Sequence, residues 1–157
     1  MASLISRIVS GGQTGVDRAA LDLALELGIP CGGWCPKGRK AEDGRLPPRY
    51  PLQETPSADY PQRTEWNVRD SDGTLVLAIG TPTGGTAFTI KLAAQHRKPC
   101  LVVDLLKEGL DADKVRDWIK RGKIRVLNVA GPRESGSPGA YRRAKAFLGE
   151  VLGEDRS

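Results

Sequence analysis

Two glycine-rich loops hold the residue types with the clearest chemistry. The first, residues 10–15, reads SGGQTG, and the second, residues 80–86, reads GTPTGGT. Glycine lets the backbone turn sharply and approach a ligand closely. A helix that begins after such a loop offers free amides and a partial positive charge, which suit an anion. A tight turn explains one such loop equally well, but two at one sheet edge favour an anion site.

Polar and charged side chains around these loops extend the candidate site. Gln13 and Thr14 add hydrogen-bond donors, and Asp17 either caps the following helix or binds a sugar or amide. Lys37 and Arg39 lie in a segment, 35–60, that is rich in proline, glycine and charge. Such a charged run forms either a solvated surface or an anion clamp.

Familiar cofactor and catalytic motifs do not fit this sequence. Neither glycine loop has the GxGxxG or P-loop spacing, and no acidic residue ends the second predicted strand, so NAD and ATP are disfavoured. Cys31 and Cys35 have no second ligand pair, so we expect no zinc site. We expect Cys100 to pack in the core, and His96, the single histidine, to lie at a helix end rather than in a catalytic triad.

Alternating strands and helices must position these loops. Apolar runs predict strands at 4–9, 29–34, 74–79, 100–103 and 124–129. Helical spacing predicts helices at 16–27, at 64–70 with Thr64 as cap, after the second loop to about 97, at 111–121, and after a Ser137 cap. Repeated alternation implies a Rossmann-like, doubly wound α/β fold with a mainly parallel sheet and helices on both faces. In such sheets ligands bind beyond the carboxyl ends of the strands, where the loops 10–17, 80–86 and 130–138 emerge.

Length and composition support one globular domain over residues 1–157. Hydrophobic residues make up 39% and charged residues 27% of the chain, while aromatic residues make up only 5%. The core must therefore be mainly aliphatic, as suits parallel strands buried on both faces. A formal net charge of +5 favours an anionic partner. Without a recognised nucleic-acid motif, we expect a discrete phosphorylated ligand rather than general nucleic-acid binding.

Targeting signals are also missing from the sequence. It has no signal peptide, no apolar run of membrane-spanning length and an odd number of cysteines. We therefore expect a cytoplasmic protein that does not bind membranes.

Five segments together resemble the molybdenum carrier family, whose members are proposed to carry molybdenum cofactor. They read SGGQTGVDRA (10–19), GWCPKGR (33–39), TEWNVRDSDGT (64–74), GGT (84–86) and NVAGPRES (128–135). The resemblance spans nearly the whole chain. That family is in turn similar to the Rossmann-like superfamily of lysine-decarboxylase-like, cytokinin-activating phosphoribohydrolases.

The resemblance implies that the ligand is molybdenum cofactor, a molybdopterin whose terminal phosphate sits on the glycine loops. It also implies cytoplasmic storage or delivery, molybdoenzymes as recipients, and a homo-oligomer, either a dimer or a tetramer. The full set of predicted ligand-binding residues is Gly11, Gly12, Gln13, Thr14, Gly15, Asp17, Lys37, Arg39, Gly84, Gly85, Thr86, Asn128, Gly131 and Pro132.

One departure from the phosphoribohydrolases bears on catalysis. Their PGGxGTxxE motif supplies a catalytic glutamate, and aligning its Gly-Thr pair with Gly85 and Thr86 puts Thr89 at that position. Threonine cannot act as a carboxylate base or stabilise an oxocarbenium-like state. We therefore expect a non-catalytic carrier with no catalytic residue, metal site or catalytic cofactor. The alternatives are a nucleotide-processing, phosphoribohydrolase-like enzyme and a sensor of nucleotide-derived ligands.

Overall fold

The computed structural model describes residues 4–153, in which five parallel strands lie between two layers of helices. The elements in chain order are β1 (Arg7–Val9), α1 (Val16–Leu27), β2 (Cys31–Gly32), β3 (Trp34–Cys35), β4 (Lys40–Ala41), β5 (Gly44–Arg45), β6 (Gln53–Glu54), α2 (Tyr60–Arg69), β7 (Gly73–Ala78), α3 (Gly84–Gln95), β8 (Cys100–Asp104), α4 (Ala112–Arg121), β9 (Val126–Ala130) and α5 (Ala140–Leu152). The main sheet has the order β2-β1-β9-β7-β8, and all its neighbouring strands are parallel. The predicted Rossmann-like α/β fold is confirmed.

The strand that comes last in the chain lies at the centre of this sheet. When the ends of the chain are treated as joined and the strands are counted from β7, the order becomes 2-1-3-4-5. That is a common doubly wound order, in which the ligand crevice lies where the order reverses. Here the reversal falls between β7 and β9. The topology therefore predicts a ligand site beyond the carboxyl ends of those two strands.

The larger core lies between the sheet and the helices α1, α4 and α5. Alternate side chains of β7 and β9, among them Leu75, Leu77, Leu127 and Val129, are fully buried there. The opposite face is covered by α2 and α3 and has a smaller apolar cluster around Val68. The core is mainly aliphatic, as the composition predicts.

The segment 35–60 is more ordered than its sequence predicts. It contains a β4–β5 hairpin and a parallel β3–β6 pair, and it encloses a second apolar cluster that includes Tyr50. The guanidinium of Arg39 ties the segment together by donating to the carbonyls of Leu46, Pro47, Tyr50 and Leu52, at 2.8 to 3.2 Å. The sequence analysis predicts no strand in this segment between 35 and 60, so these strands are additional to the predicted elements. Each strand is only two residues long, too short to show a periodicity.

The predicted elements are confirmed in their order, but several of their boundaries differ. The strand predicted at 29–34 divides into β2 and β3, and only β2 joins the main sheet. Helix α2 begins at Tyr60, so Thr64 lies inside it and donates its hydroxyl to the Tyr60 carbonyl at 3.1 Å. The prediction that Thr64 caps this helix is wrong.

Two further predictions differ at α5 and β8. Helix α5 begins after Gly139 rather than Ser137, and the Glu134 carboxylate accepts from the amides of Gly139 and Tyr141 at 2.7 and 2.8 Å. The strand predicted as buried at 100–103 lies at the sheet edge, where Val102 is 42% exposed. Within residues 4–153, no helix is both long and apolar enough to cross a membrane.

Candidate functional site

A cavity of about 490 Å³ opens at the carboxyl edge of the sheet, where the strand order reverses. Its walls come from the loops after β1, β7 and β9 and from the first turns of α2 and α3. The lining residues are Gln13, Asp17, Tyr60, Pro61, Arg63, Thr64, Thr83, Gly85, Thr86, Phe88, Thr89, Ala130, Gly131, Pro132, Arg133, Ser135, Gly136 and Ser137. This volume and this position in the fold are typical of a small-molecule site.

The amino-terminal end of α3 opens into this cavity. Thr83 precedes the helix in an extended conformation, and its side chain makes no capping hydrogen bond. The amides of Thr86 and Ala87 share the Thr83 carbonyl, at 3.1 and 3.2 Å. Gly85 is exposed, and a Cβ atom added there would meet no atom within 4 Å. The first amides of the helix and its partial positive charge therefore face open space.

The loop before α1 is packed more tightly. The Asp17 carboxylate accepts from the Gln13 amide at 3.2 Å, and the Val16 amide donates to the Pro132 carbonyl at 3.3 Å. Gly15 has φ +82°, and a Cβ atom there would lie 2.4 Å from the Pro132 oxygen. Much of this loop is thus bonded to other parts of the chain, and it brings a carboxylate rather than an open anion cradle to the cavity.

Asp17 and Arg63 form a buried pair beneath the cavity. Asp17 is 5% exposed, and its Oδ2 lies 3.6 Å from the Arg63 Nη1. Burial raises the pKa of Asp17 against the opposing effect of Arg63, and burial lowers the pKa of Arg63. The Nε of Arg63 is buried and has no hydrogen-bond partner among residues 4–153. The pair is therefore only partly satisfied by the protein itself.

Three cations surround the ring of Tyr60, the first residue of α2. The distances to the ring centroid are 4.3 Å from the Arg133 Cζ, 4.7 Å from the Lys40 Nζ and 5.5 Å from the Arg63 Cζ. Asp17 is the one acidic residue among those lining the cavity. The wall around Tyr60 therefore carries more positive than negative charge.

The structure brings together some of the residues predicted to bind the ligand. Those that line the cavity are Gln13, Asp17, Gly85, Thr86, Gly131 and Pro132. Gly11 and Asn128 line a smaller void beside it, with Asp17, Arg63 and Thr89. Gly84 is the first residue of α3.

The other five predicted residues lie elsewhere. Gly12 packs against Leu46 and Leu52, and Thr14 donates its hydroxyl to the Glu42 carboxylate. Gly15 packs against the loop after β9, and Arg39 bonds to carbonyls of the segment 35–60, as described above. Lys37 is exposed and is not among the cavity-lining residues.

Sequence reasoning missed the contribution of α2 and of the loop after β9. Tyr60, Arg63 and Arg133 were not predicted as site residues, although Pro61 could have signalled a helix that begins at Tyr60. Such a start places the first turn of α2 at the carboxyl edge, because α2 must run back along the sheet before β7 begins.

Residues considered for other chemistry lie outside the cavity or lack a reactive group. His96 lies 3.0 Å from the Glu65 carboxylate on α2, away from the cavity. Cys100 is half-buried on the edge strand, and burial raises the pKa of its thiol. Thr89 lines the cavity and donates its hydroxyl to the Gly85 carbonyl at 3.0 Å. In the part of the chain that the structure describes, no group of three or more His, Cys, Asp or Glu residues could hold a metal ion.

Comparisons with known proteins agree with this architecture. The sequence model of the circularly permutated YpsA SLOG family matches residues 8–152. The solved structure of a protein called "Putative molybdenum carrier protein", from Syntrophus aciditrophicus SB, superposes with a TM-score of 0.90. The two sequences are 49% identical, and the match covers 95% of each chain. No curated protein matches the chain. The predicted family resemblance is confirmed. The strand order of the sheet is also the order that a circularly permuted chain would have.

Proposed function

Because this chain belongs to the circularly permutated YpsA SLOG family, and its relative from Syntrophus is named for molybdenum carriage, we propose that it is a molybdenum carrier. Its cargo is molybdenum cofactor, held by the terminal phosphate of the molybdopterin. The observation that carries this proposal is the uncapped end of α3, which opens into a cavity of ligand size at the reversal of strand order.

The phosphate binds at the first turn of α3. There it receives hydrogen bonds from the amides of Gly84 and Gly85 and from the hydroxyl of Thr86, and it gains from the partial positive charge of the helix. Hydrogen bonds to a charged group contribute about 1.5–3 kcal/mol each. The absence of a side chain at Gly85 lets the phosphate approach the backbone.

The pterin body lies across the floor of the cavity. Asp17 and the Ser135 oxygen offer acceptors for the ring N–H groups of a pterin, and Ser137 offers a hydroxyl for its carbonyl group. The metal arrives as part of this cargo. Recipient molybdoenzymes and a homo-oligomer remain part of the proposal, as the family resemblance implies.

Retention of the cofactor by the purified protein tests the proposal. Protein produced in cells that make the cofactor should release a fluorescent oxidised pterin, together with molybdenum, when it is denatured. Gly85→Asp should abolish retention, because the new carboxylate repels the phosphate at the helix end. Gly149→Asp is the matched control, since Gly149 lies on α5 and also has open space around it. Equal retention by wild type and Gly85→Asp would exclude the α3 site.

One observation favours a second candidate function, the hydrolysis of nucleotides. Thr89 lacks the carboxyl group of the phosphoribohydrolase motif, but Asp17 supplies a buried carboxyl group in the same cavity. Burial raises the pKa of Asp17, which suits a group that protonates a leaving base or stabilises positive charge on a ribose. Hydrolysis would add water across the N-glycosidic bond and release a free base and a sugar phosphate.

Chromatography of nucleoside monophosphates after incubation with the protein tests this candidate. Free base that appears with wild type, and not with Asp17→Asn, would support it. No release at high protein concentration would exclude it.

A further inference from the structure

We propose that the cavity contains two separate anion subsites and takes a ligand with two anionic groups, one for each subsite. The first subsite is the end of α3, and this part of the inference rests on the proposed function. The second subsite, which we call the arginine subsite, consists of Tyr60, Arg63 and Arg133 with Lys40 beside them.

The arginine subsite has unused capacity to bind an anion. Arg63 and Arg133 both line the cavity, and both guanidinium groups lie within 5.5 Å of the centroid of the same ring. The buried Nε of Arg63 donates to no acceptor within residues 4–153. Asp17 is 3.6 Å from Arg63, beyond hydrogen-bond distance, and among the described residues no carboxylate lies within 4 Å of Arg133 or Lys40.

An anion between the guanidinium groups of Arg63 and Arg133 would balance their positive charge. Burial is the main cause of the lowered pKa of Arg63, and the charge of Arg133 lowers it further, so the two groups repel one another in the free protein. The exposed Glu42 carboxylate already accepts hydrogen bonds from Ser135 and Thr14, which lower its pKa, and Arg133 adds only a smaller effect. A ligand anion would offer acceptors to both guanidinium groups at once.

The sheet keeps the two subsites apart. The Nη1 of Arg63 lies beside Gly11, just beyond β1, because a Cβ atom on Gly11 would be only 2.3 Å from it. The end of α3 follows β7. Since β9 lies between β1 and β7, the two strand ends are two strand spacings apart, about 10 Å.

Between the two subsites the floor of the cavity is backbone. Gly131 follows β9 there, and its Cα approaches the sheet so closely that a Cβ atom would lie 2.3 Å from the Leu77 carbonyl oxygen. Ala130 precedes it, so this stretch has no charged side chain. An uncharged part of the ligand fits over it, between the two anionic groups. The ligand class is therefore a phosphoester that carries a second oxyanion away from its phosphate.

Titration calorimetry with alkane bisphosphonates of increasing chain length, and with the monophosphonate of each length, tests this inference. We expect the monophosphonates to bind at the end of α3. A bisphosphonate long enough to reach both subsites should bind at least tenfold more tightly than its monophosphonate, about the effect of one charged hydrogen bond. The shortest bisphosphonates should show no such advantage.

Two variants that each lose one positive charge test where the second phosphonate group of the ligand binds. Arg133→Gln should remove the advantage of the long bisphosphonate and leave monophosphonate affinity unchanged within about twofold. Arg133 makes no side-chain hydrogen bond in the part of the chain described, so we expect this variant to fold, as thermal unfolding would verify. Arg121→Gln, at the far end of α4 on the opposite edge of the sheet, should change neither affinity.

The possible failures are distinguishable. Equal affinity of bisphosphonates and monophosphonates would overturn the second subsite and leave the proposed function standing. Loss of monophosphonate binding in Arg133→Gln would overturn the inference too, because it would mean one shared site. If no phosphonate bound to the folded wild-type protein, both the inference and the phosphate site of the proposed function would be wrong.

Discussion

At the scale of single residues, Arg63 has the most unusual environment among residues 4–153. Its side chain is 14% exposed, yet its Nε is unpartnered within residues 4–153 and its nearest carboxylate oxygen is 3.6 Å away. A buried ion pair of this kind contributes little net stability, whereas the loss of one partner leaves an uncompensated charge. Such incomplete satisfaction is typical of a binding site.

Substitution of both residues of this pair should destabilise the protein less than the two single substitutions added together. Asp17→Leu and Arg63→Met should each lower the free energy of unfolding, by about 3–5 kcal/mol where the remaining charge stays fully buried. The double variant Asp17→Leu with Arg63→Met should lose much less than the sum of the two, because it buries no charge. Urea denaturation measures all three. Strict additivity would show that the two side chains do not interact.

Tyr50 and Tyr141 predict a loss of stability in alkaline solution. Both hydroxyls donate to the Asp22 carboxylate, at 2.7 and 2.5 Å, and burial together with this hydrogen bond raises the pKa of each tyrosine from 10.0 to about 12. The folded protein thus favours the neutral phenols. Their contribution to stability is complete below pH 10 and is lost as the pH rises towards 12.

The free energy of unfolding should therefore fall between these two pH values. The double variant Tyr50→Phe with Tyr141→Phe should show a smaller fall over the same range. Urea denaturation at each pH, with the absorbance of tyrosinate as the titration signal, makes this measurement. An equal fall in both proteins would contradict the assigned role of Asp22.

At the scale of elements, the glycine at the start of α3 and the glycine in the loop after β9 have different roles. Gly85 lies in the first turn of α3, where an added Cβ atom would meet no atom within 4 Å, whereas Gly131 lies against the Leu77 carbonyl and Val16. We infer that glycine at position 85 lets the ligand approach the backbone, and that glycine at position 131 lets the backbone pack closely against Leu77 and Val16.

Alanine at each position should reveal this difference. Gly85→Ala should raise the free energy of unfolding by about 0.5–1 kcal/mol, since alanine is favoured in helices, and Gly149→Ala on α5 should have a similar effect. Gly131→Ala should lower it, because its Cβ atom cannot fit without movement of the backbone. Thermal or urea unfolding gives the three values. A destabilised Gly85→Ala would mean that Gly85 also serves the fold.

The sequence predicts long elements well and short ones poorly. Helices α1 and α4 have clear apolar stripes, with Gly28 in the left-handed conformation and Asp111 as a cap at their ends, and both were predicted closely. The two-residue strands β3 to β6 have no periodicity to detect. The sequence indicates Thr64 as the cap of α2, so it does not predict that the helix begins at Tyr60 or that Tyr60 and Arg63 belong to the candidate site.

At the scale of the whole molecule, the strand order determines where the cavity lies. Alternating strands and helices predict a parallel sheet, but they do not say which strands are neighbours. The insertion of β9 between β1 and β7 places the loop 131–139 between the loop 80–83 and the α1 loop, so that those two are separated by two strand spacings. This is why the second glycine loop opens into the cavity while much of the first is packed away from it.

A permuted chain should fold to the same structure. Helix α5 returns to the amino edge of the sheet, where β1 begins, so a glycine-serine linker can join the native ends. New ends at Ala58, an exposed residue before α2, make β7 the first main-sheet strand. We expect a native circular-dichroism spectrum, cooperative unfolding and unchanged phosphonate binding. Failure to fold would show that the natural order of the elements along the chain is required for this sheet.

The most direct test of the central claim is nuclear magnetic resonance of the ¹⁵N-labelled protein during titration with an alkyl monophosphonate. The account predicts that the amide signals of Gly84, Gly85 and Thr86 shift most, with a common saturation curve, and that Gly85→Asp abolishes these shifts. Saturable shifts confined to residues 10–15, or no shift at the start of α3 while the phosphonate binds, would contradict it.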